Sequence, residues 1–243
     1  MAGKDFQGRV LILDYGSQTT QLIARRVRES HVYCEIHPFN MGLEAIREFQ
    51  PKGIILSGGP ASVYEPGAPL NPPELFQMGI PTLGICYGMQ LMTHVLGGEV
   101  SKSRKREFGR SELFIDDAGD LFAGLDPGAP IQVWMSHGDR IGVPPPGFRA
   151  IAHSGNSPVA AMKNERLRAF GVQFHPEVVH TPLGKEILKN FLLRICQCPA
   201  DWTMESFVTR TVHSLKEKIG EGRVICALSG GVDSLVVAVL LHR

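Results

Sequence analysis

Short, uniformly apolar runs alternate along this chain with stretches whose apolar positions recur every three to four residues. Val10-Leu-Ile-Leu13, Gly53-Ile-Ile-Leu56 and Thr82–Ile85 are runs of the first kind, and Tyr33–Ile36 is a shorter one. Runs without a polar alternation suit strands covered on both faces. Thr19–Glu29 is of the second kind, with Leu22, Ile23 and Val27 on one face and Arg25, Arg26 and Arg28 elsewhere. Leu43–Phe49 and Tyr87–Leu96 also read as helices. Strands and helices in alternation predict an α/β fold: a mostly parallel central sheet with helices on both faces.

From Glu99 to Phe174 turns become frequent. Leu113–Ile115, Ile131–Met135, Val159–Met162 and Ala169–Phe174 read as strands, a mixed extension of the same sheet. Pro182–Cys196 reads as a closing helix, Gln197–Thr203 as a linker and Met204–Gly220 as a further helix. Arg223–Leu228 then reads as a new buried strand, followed by Ser229-Gly-Gly-Val-Asp-Ser234 and the start of an apolar helix. This divides the chain into a first domain, 1–197, and a second segment, 198–243. Asn71-Pro-Pro73, inside the Pro-rich stretch Ala61–Pro73, is a surface loop that serves either as a cover or as an inert connection.

The chemistry centres on Gly84-Ile-Cys86-Tyr-Gly88. A strand leads into the cysteine and a helix leads out, with glycines two residues to each side. That is the pattern of a nucleophile elbow with a thiol in place of a hydroxyl. A thiol at a helix N-terminus meets unpaired N–H groups and the positive end of the helix dipole, which favour thiolate and a developing oxyanion. A nucleophile of this kind needs a base, and the base needs an orienting group. Gly171-Val-Gln-Phe-His175-Pro-Glu177 supplies a histidine at the end of an apolar run and a carboxylate two residues on. A lone His-x-Glu is most often structural; its conjunction with the elbow points to His175 and Glu177. Ser57-Gly58-Gly59-Pro60 is either an ordinary tight turn or a backbone that completes an oxyanion hole, and the elbow favours the second. Trp134-Met-Ser-His137-Gly-Asp139 reads as a polar turn after a strand. Gln90 lies one helical turn after Cys86, on the same side.

Composition narrows the class. With 243 residues the chain holds one sizeable domain and the start of another. A net charge of +1 gives no electrostatic case for nucleic acid or a membrane surface as partner. Lys102-Ser-Arg-Lys-Arg106 is a local basic run and reads as a solvated loop. The five cysteines form no paired framework and Met1–Asp5 shows no leader, so a reducing cytoplasm is expected. Cys196-Gln-Cys198 is too closely spaced for the usual zinc knuckle, and no metal site is expected. No apolar run is long enough to span a bilayer.

Gly84-Ile-Cys86-Tyr-Gly-Met-Gln90 together with Gly171-Val-Gln-Phe-His175-Pro-Glu177 resembles the class I (triad-type) glutamine amidotransferases over roughly the first two hundred residues. The resemblance implies a flavodoxin-like fold and a Cys86–His175–Glu177 triad acting on the side-chain amide of glutamine. It implies backbone N–H groups of Gly59 and Tyr87 as the oxyanion hole, and Gln90, Ser136, His137 and Asp139 lining the glutamine site. No cofactor is implied for this step. Ser229, Gly230, Gly231, Val232, Asp233, Ser234 and Leu235 resemble the phosphate loop of ATP pyrophosphatases, with an adenine-nucleotide α-hydrolase-like fold, and Asp233 is implied as a help to Mg²⁺. The order of the two resembles the glutamine-hydrolysing GMP synthase family. That likeness implies ATP, Mg²⁺ and xanthosine monophosphate (XMP) as partners of a synthetase half, where ammonia displaces AMP from adenylated XMP to give GMP.

Against that family the chain stops at Arg243, about one helix into the second domain, and Leu235–Leu241 is apolar all round. A helix of that kind expects burial on most sides. The tail from Arg223 is therefore expected to be either loosely docked on the first domain or only weakly ordered, and the chain alone to hydrolyse glutamine at most, without making GMP. The weighed alternatives are a stand-alone cysteine hydrolase, another class I amidotransferase of the anthranilate or carbamoyl-phosphate type, and a non-catalytic scaffold. The downstream loop argues against the first two, and the presence of Cys86, His175 and Glu177 against the last.

Overall fold

The structure is a computed structural model that describes residues 8–243; the side chains of residues 103–106 and the expectation resting on Met1–Asp5 lie outside the described residues. The chain runs β1 (Val10–Asp14), α1 (Thr20–Glu29), β2 (Cys34–Pro38), α2 (Leu43–Phe49), β3 (Gly53–Leu56), β4 (Thr82–Ile85) and α3 (Tyr87–Val95). It continues with β5 (Glu99–Ile115), β6 (Ile131–Val143), β7 (Arg149–Ser154), β8 (Ala161–Asn164), β9 (Ala169–Val172), α4 (Gly184–Lys189), α5 (Met204–Ile219) and α6 (Val232–His242).

The described strands form one nine-stranded sheet in the order β2-β1-β3-β4-β9-β8-β7-β5-β6. From β2 to β9 the pairs are parallel, and from β9 to β6 they are antiparallel. Alternating side chains of β1 divide the core. Val10 and Ile12 pack with Ile23, Ala24 and Val27 of α1 and Ile187 and Leu188 of α4. Leu11 and Leu13 face Ile46 of α2 and Met89, Leu91 and Met92 of α3 on the other side. Both faces are covered, which is why the strands read as continuous apolar runs.

Three expectations change. The Trp134–Asp139 stretch is not a turn but part of β6, paired with β5 through Trp134↔Arg110, His137↔Glu107 and Asp139↔Lys102. The pairing shifts register between Lys102 and Glu107, and this irregularity accommodates the polar run inside a ladder. For the same reason the backbone of Lys102–Arg106 is strand rather than loop. Arg223–Leu228 is not a buried strand: it pairs with no strand among the described residues, and Ile225 is 98% exposed. Neither α5 nor α6 buries a residue, and Leu235, Val236, Val237 and Val239 of α6 are solvent-exposed. The closing helix is short and continues as a wider π-helical turn over Asn190–Ile195. Cys196 and Cys198 are buried in the core. A Cβ on Gly53 would come within 2.4 Å of the Cys196 sulfur.

The turn from β4 to α3 depends on close backbone approach. A Cβ on Gly84 would lie 2.6 Å from Gly88 and Met89 backbone atoms, and one on Gly88 would lie 2.5 Å from the Leu56 carbonyl oxygen. Neither neighbour can yield without moving a strand or helix. Gly84→Ala is expected to lower the thermal unfolding midpoint by about 4–8 °C, the effect of roughly 2 kcal/mol on a domain of this size. A midpoint unchanged in a calorimetric scan would contradict this account.

Candidate active site

Four strand ends meet at one rim. After β1 come Tyr15–Thr19, after β3 Ser57–Gly59, after β4 Cys86, and after β9 Gln173–Glu177. Ligand sites in open parallel sheets gather at the carboxyl ends of strands. The sheet order places β3, β4 and β9 side by side, so residues distant in sequence converge.

Cys86 sits between β4 and α3 with φ 51° and ψ −105°, a conformation side chains rarely adopt. Its own N–H donates to the Val172 carbonyl at 2.8 Å, and that of Gly88 donates to the Ser57 carbonyl at 3.1 Å. The elbow is thereby tied to β9 on one side and to the turn after β3 on the other. Tyr87 opens the helix, so its N–H has no intrahelical acceptor. A Cβ on Gly58 would lie 3.2 Å from His175 Cε1, 3.4 Å from Ser17 Oγ and 3.8 Å from Cys86 Cβ. A Cβ on Gly59 would lie 2.7 Å from the Tyr15 carbonyl and 3.4 Å from Tyr87 Cγ. The Gly58–Gly59 backbone therefore passes directly beside the thiol and the imidazole.

His175 is clamped before its ring does anything. Its N–H donates to the Trp134 carbonyl at 3.0 Å, and its carbonyl accepts from Thr181 Oγ1 at 2.7 Å. The ring Nδ1 donates to Glu177 Oε1 at 2.7 Å. With the Glu177 oxygen as acceptor, Nδ1 carries a hydrogen and Nε2 is the ring's second proton site. Glu177 is fully buried and is itself held. Thr19 Oγ1 donates to the same Oε1 at 2.7 Å, and Arg26 Nε donates to the Glu177 carbonyl at 3.0 Å. Burial acts to lower the His175 pKa. Hydrogen bonding to the Cys86 thiol and to Glu177 outweighs burial, and the imidazole is pushed up to about 10.

The other expected residues fall into two groups. Gln90 is buried, and its Nε2 donates to the Asp139 carbonyl at 3.1 Å and to Gln173 Oε1 at 3.4 Å. His137 is buried too; its Nδ1 donates to the same Asp139 carbonyl at 2.8 Å. Its Nε2 lies 3.0 Å from Glu107 Oε2 without hydrogen-bond alignment. Burial lowers the His137 pKa against the pull of Glu107, which favours the neutral ring. Ser136 contributes its backbone, whose carbonyl lies 3.6 Å from Cys86 Sγ, while the residue itself is exposed on the opposite side of β6. Ser229–Leu235 belongs to the exposed α6 segment. There Ser229 Oγ and Ser234 Oγ lie 3.1 Å apart and Ser234 Oγ donates to the Gly231 carbonyl at 2.9 Å.

Sequence reasoning passed over Gln173 and Thr19. Gln173 is fully buried and its Nε2 lies 3.7 Å from Cys86 Sγ. It lies two residues before His175, inside the Gly171–Glu177 motif, so this partner was within reach of pattern reading. Nothing in the pattern around Thr19 pairs it with a carboxylate 158 positions away.

Residues 11–195 match the family described as Glutamine amidotransferase class-I. The chain belongs to that family. It is 55% identical over 235 residues to a GMP synthase (glutamine-hydrolyzing) of Desulfotalea psychrophila, covering 97% of this chain and 46% of that protein. A protein of the same name from Thermomicrobium roseum is 55% identical over 234 residues, with 96% of this chain and 44% of that protein covered. The chain thus spans about half the length of the curated relatives it matches. Among solved structures, a protein described as a GMP synthase subunit from Thermoplasma acidophilum aligns with a TM-score of 0.67 at 28% identity, over 78% of this chain and 94% of that one. A glutamine amidotransferase of Thermotoga maritima shares the fold, with a TM-score of 0.59 at 20% identity over 78% and 98%. The α/β sheet with flanking helices is the class I amidotransferase fold.

The raised His175 pKa carries a sign. A folded value of about 10 above the ordinary 6.5 means a stabilising contribution complete below about pH 6.5 and lost as pH rises through about 10. Glu177→Gln removes one of the groups that raise it. The imidazole midpoint, followed by the ring proton resonance, is expected to move down in that variant; a midpoint that stays in place would contradict the carboxylate's part in the shift.

Proposed function

We propose that this chain hydrolyses glutamine through Cys86, His175 and Glu177 and that it is the ammonia-releasing half of a GMP synthase. The observation that carries the reading is the convergence of a strained elbow cysteine with a buried, carboxylate-held imidazole at one sheet rim. The proton of Cys86 rests on His175 Nε2, the cationic form that the raised pKa favours, and the sulfur attacks the side-chain amide carbon. The N–H groups of Gly59 and Tyr87 receive the developing oxyanion. His175 then returns its proton to the departing nitrogen, which leaves as ammonia, and water hydrolyses the glutamyl thioester with His175 as base. Glu177 keeps the imidazole in one tautomer and stabilises its cationic form. Gln90, the Ser136 backbone, His137 and Asp139 form the wall against which the substrate backbone rests. Gln173 supports the thiol from the side.

The relatives' name supports the second part of the proposal. The segment 198–243 would open an ATP-using domain. The stretch Ser229–Leu235 fits a phosphate: it is exposed, Ser229 and Ser234 bring their hydroxyls together, and it runs into the first turn of an eleven-residue helix, where N–H groups lack intrahelical acceptors. Asp233, in the first turn of that helix, would assist Mg²⁺. ATP, when bound, supplies the activation of XMP that allows ammonia to replace an oxygen. Among the described residues no helix is long and apolar enough to cross a membrane. All five cysteines are free, which fits the proposed setting, a reducing cytoplasm.

Cys86→Ala is expected to lower glutamate release from glutamine by at least about a thousandfold. In a protein that also carries the ATP-using half, the same variant is expected to keep amination of XMP from free ammonium. Glutamate release that survives in Cys86→Ala would refute the triad. Loss of ammonium-dependent amination in that variant would refute the division of labour.

A further inference from the structure

The Pro-rich stretch after Gly59 is neither idle nor loose. Its far end is pinned: Tyr87 Oη donates to the Pro69 carbonyl at 2.9 Å, and Asn71 Nδ2 donates to the Phe39 carbonyl at 2.8 Å. Asn71 also accepts from the Tyr15 hydroxyl. Its near end passes so close to Tyr15 that a Cβ on Gly59 would lie 2.7 Å from the Tyr15 carbonyl oxygen, and Val63 between the two ends is buried. From this strap Ser62 Oγ donates to Asp139 Oδ2 at 2.6 Å and Tyr64 Oη donates to Asp139 Oδ1 at 2.6 Å. Each carboxylate oxygen therefore receives one hydroxyl. Bonds of that length from hydroxyl to carboxylate belong to the strong, charge-assisted class.

A carboxylate offers about four lone-pair positions, so two remain after both hydroxyls are counted. Glutamine presents an amide to the thiol and an α-ammonium and an α-carboxylate at its other end. The ammonium needs an anionic acceptor. Glu177 belongs to the triad, its Oε1 held by His175 and Thr19 and its Oε2 enclosed in the interior, and Glu107 accepts from Ser154 and Ser157 at 3.0 and 2.7 Å. Asp139 is the acid next to Gln90, and the strap fixes both of its oxygens.

We infer that Ser62 and Tyr64 are positioning residues that fix the Asp139 carboxylate for the α-ammonium of glutamine, and so make the site select substrates that carry that group. This rests on the proposed role of Asp139 as a substrate ligand. The bond to Asp139 also raises the pKa of the Tyr64 phenol, which keeps it a donor through neutral pH. Gly59 lies three positions before Ser62 on the same strap. One pinned segment therefore meets both ends of the substrate: the amide oxygen through the Gly59 N–H and the ammonium through the two hydroxyls.

The test is alkylation of Cys86 by the diazoketone analogue of L-glutamine and by its counterpart lacking the α-amino group, followed by intact mass over time. The parent chain is expected to react faster with the amino analogue. Tyr64→Phe is expected to reduce that preference on the order of tenfold, and Ser62→Ala combined with it further, while the rate with the desamino analogue stays within about twofold. Equal slowing with both analogues would overturn the inference in favour of a merely structural role. A preference unchanged in Tyr64→Phe but abolished in Asp139→Asn would overturn it while leaving Asp139 as ligand. A preference that survives Asp139→Asn removes the premise, and no alkylation of the parent by either analogue removes the triad.

Discussion

Backbone against backbone at the end of β4 is the constraint on which this molecule turns. The chain must leave a buried strand, reverse within one residue and start a helix whose first turn touches both the strand it left and its neighbour β3. Only glycine fits at 84 and 88, because the atoms a side chain would meet are backbone atoms of those elements. The residue left between them adopts a positive φ at a cost of about 1–3 kcal/mol. The sheet holds it there: Cys86 N–H continues the ladder to β9, and Gly88 N–H is taken by the turn after β3. Strain, exposure of the sulfur to its partners and an open helix N-terminus are consequences of one geometry.

Around that elbow the electrostatics form nested supports. Glu177 is buried where a lone carboxylate would be costly, and it is offset by Thr19 and the imidazole. His175, in turn, is raised despite burial because two neighbours favour its cation. On the opposite wall the Asp139 carbonyl gathers donors from Gln90 and His137, while its carboxylate gathers Ser62 and Tyr64. Almost every polar group near the sulfur is oriented by a second residue from another element, which is the condition for preorganised catalysis.

Uniform apolar runs made β1, β3 and β4 legible to within a residue, because burial on both faces leaves one kind of signal. The helix α2 was legible for a related reason, its apolar face being cut cleanly by Gly42 and Pro51. Polar strands were not. Trp134–Asp139 reads as a turn because the partners of its buried polar groups lie on β5, α3 and the strap, and local pattern cannot report partners so far away. Arg223–Leu228 failed in the opposite sense: its composition suits a strand, but no edge among the described residues accepts it. Cys86, His175 and Glu177 were readable from local spacing. Thr19, Ser62 and Tyr64 join the site through contacts that only the three-dimensional arrangement brings about.

The position of β9 has one more consequence. The last strand in sequence lies in the middle of the sheet, between β4 and β8, and it leads directly to Gln173, His175 and Glu177. During synthesis the thiol of Cys86 emerges some ninety residues before its base. Until β9 inserts, the sheet is split, the Cys86 N–H lacks its Val172 acceptor, and no imidazole faces the sulfur. Non-local insertion of this kind is slow compared with helix or hairpin formation. The architecture thus makes completion of the fold and arming of the nucleophile the same event, so that an unfinished chain carries only an ordinary thiol.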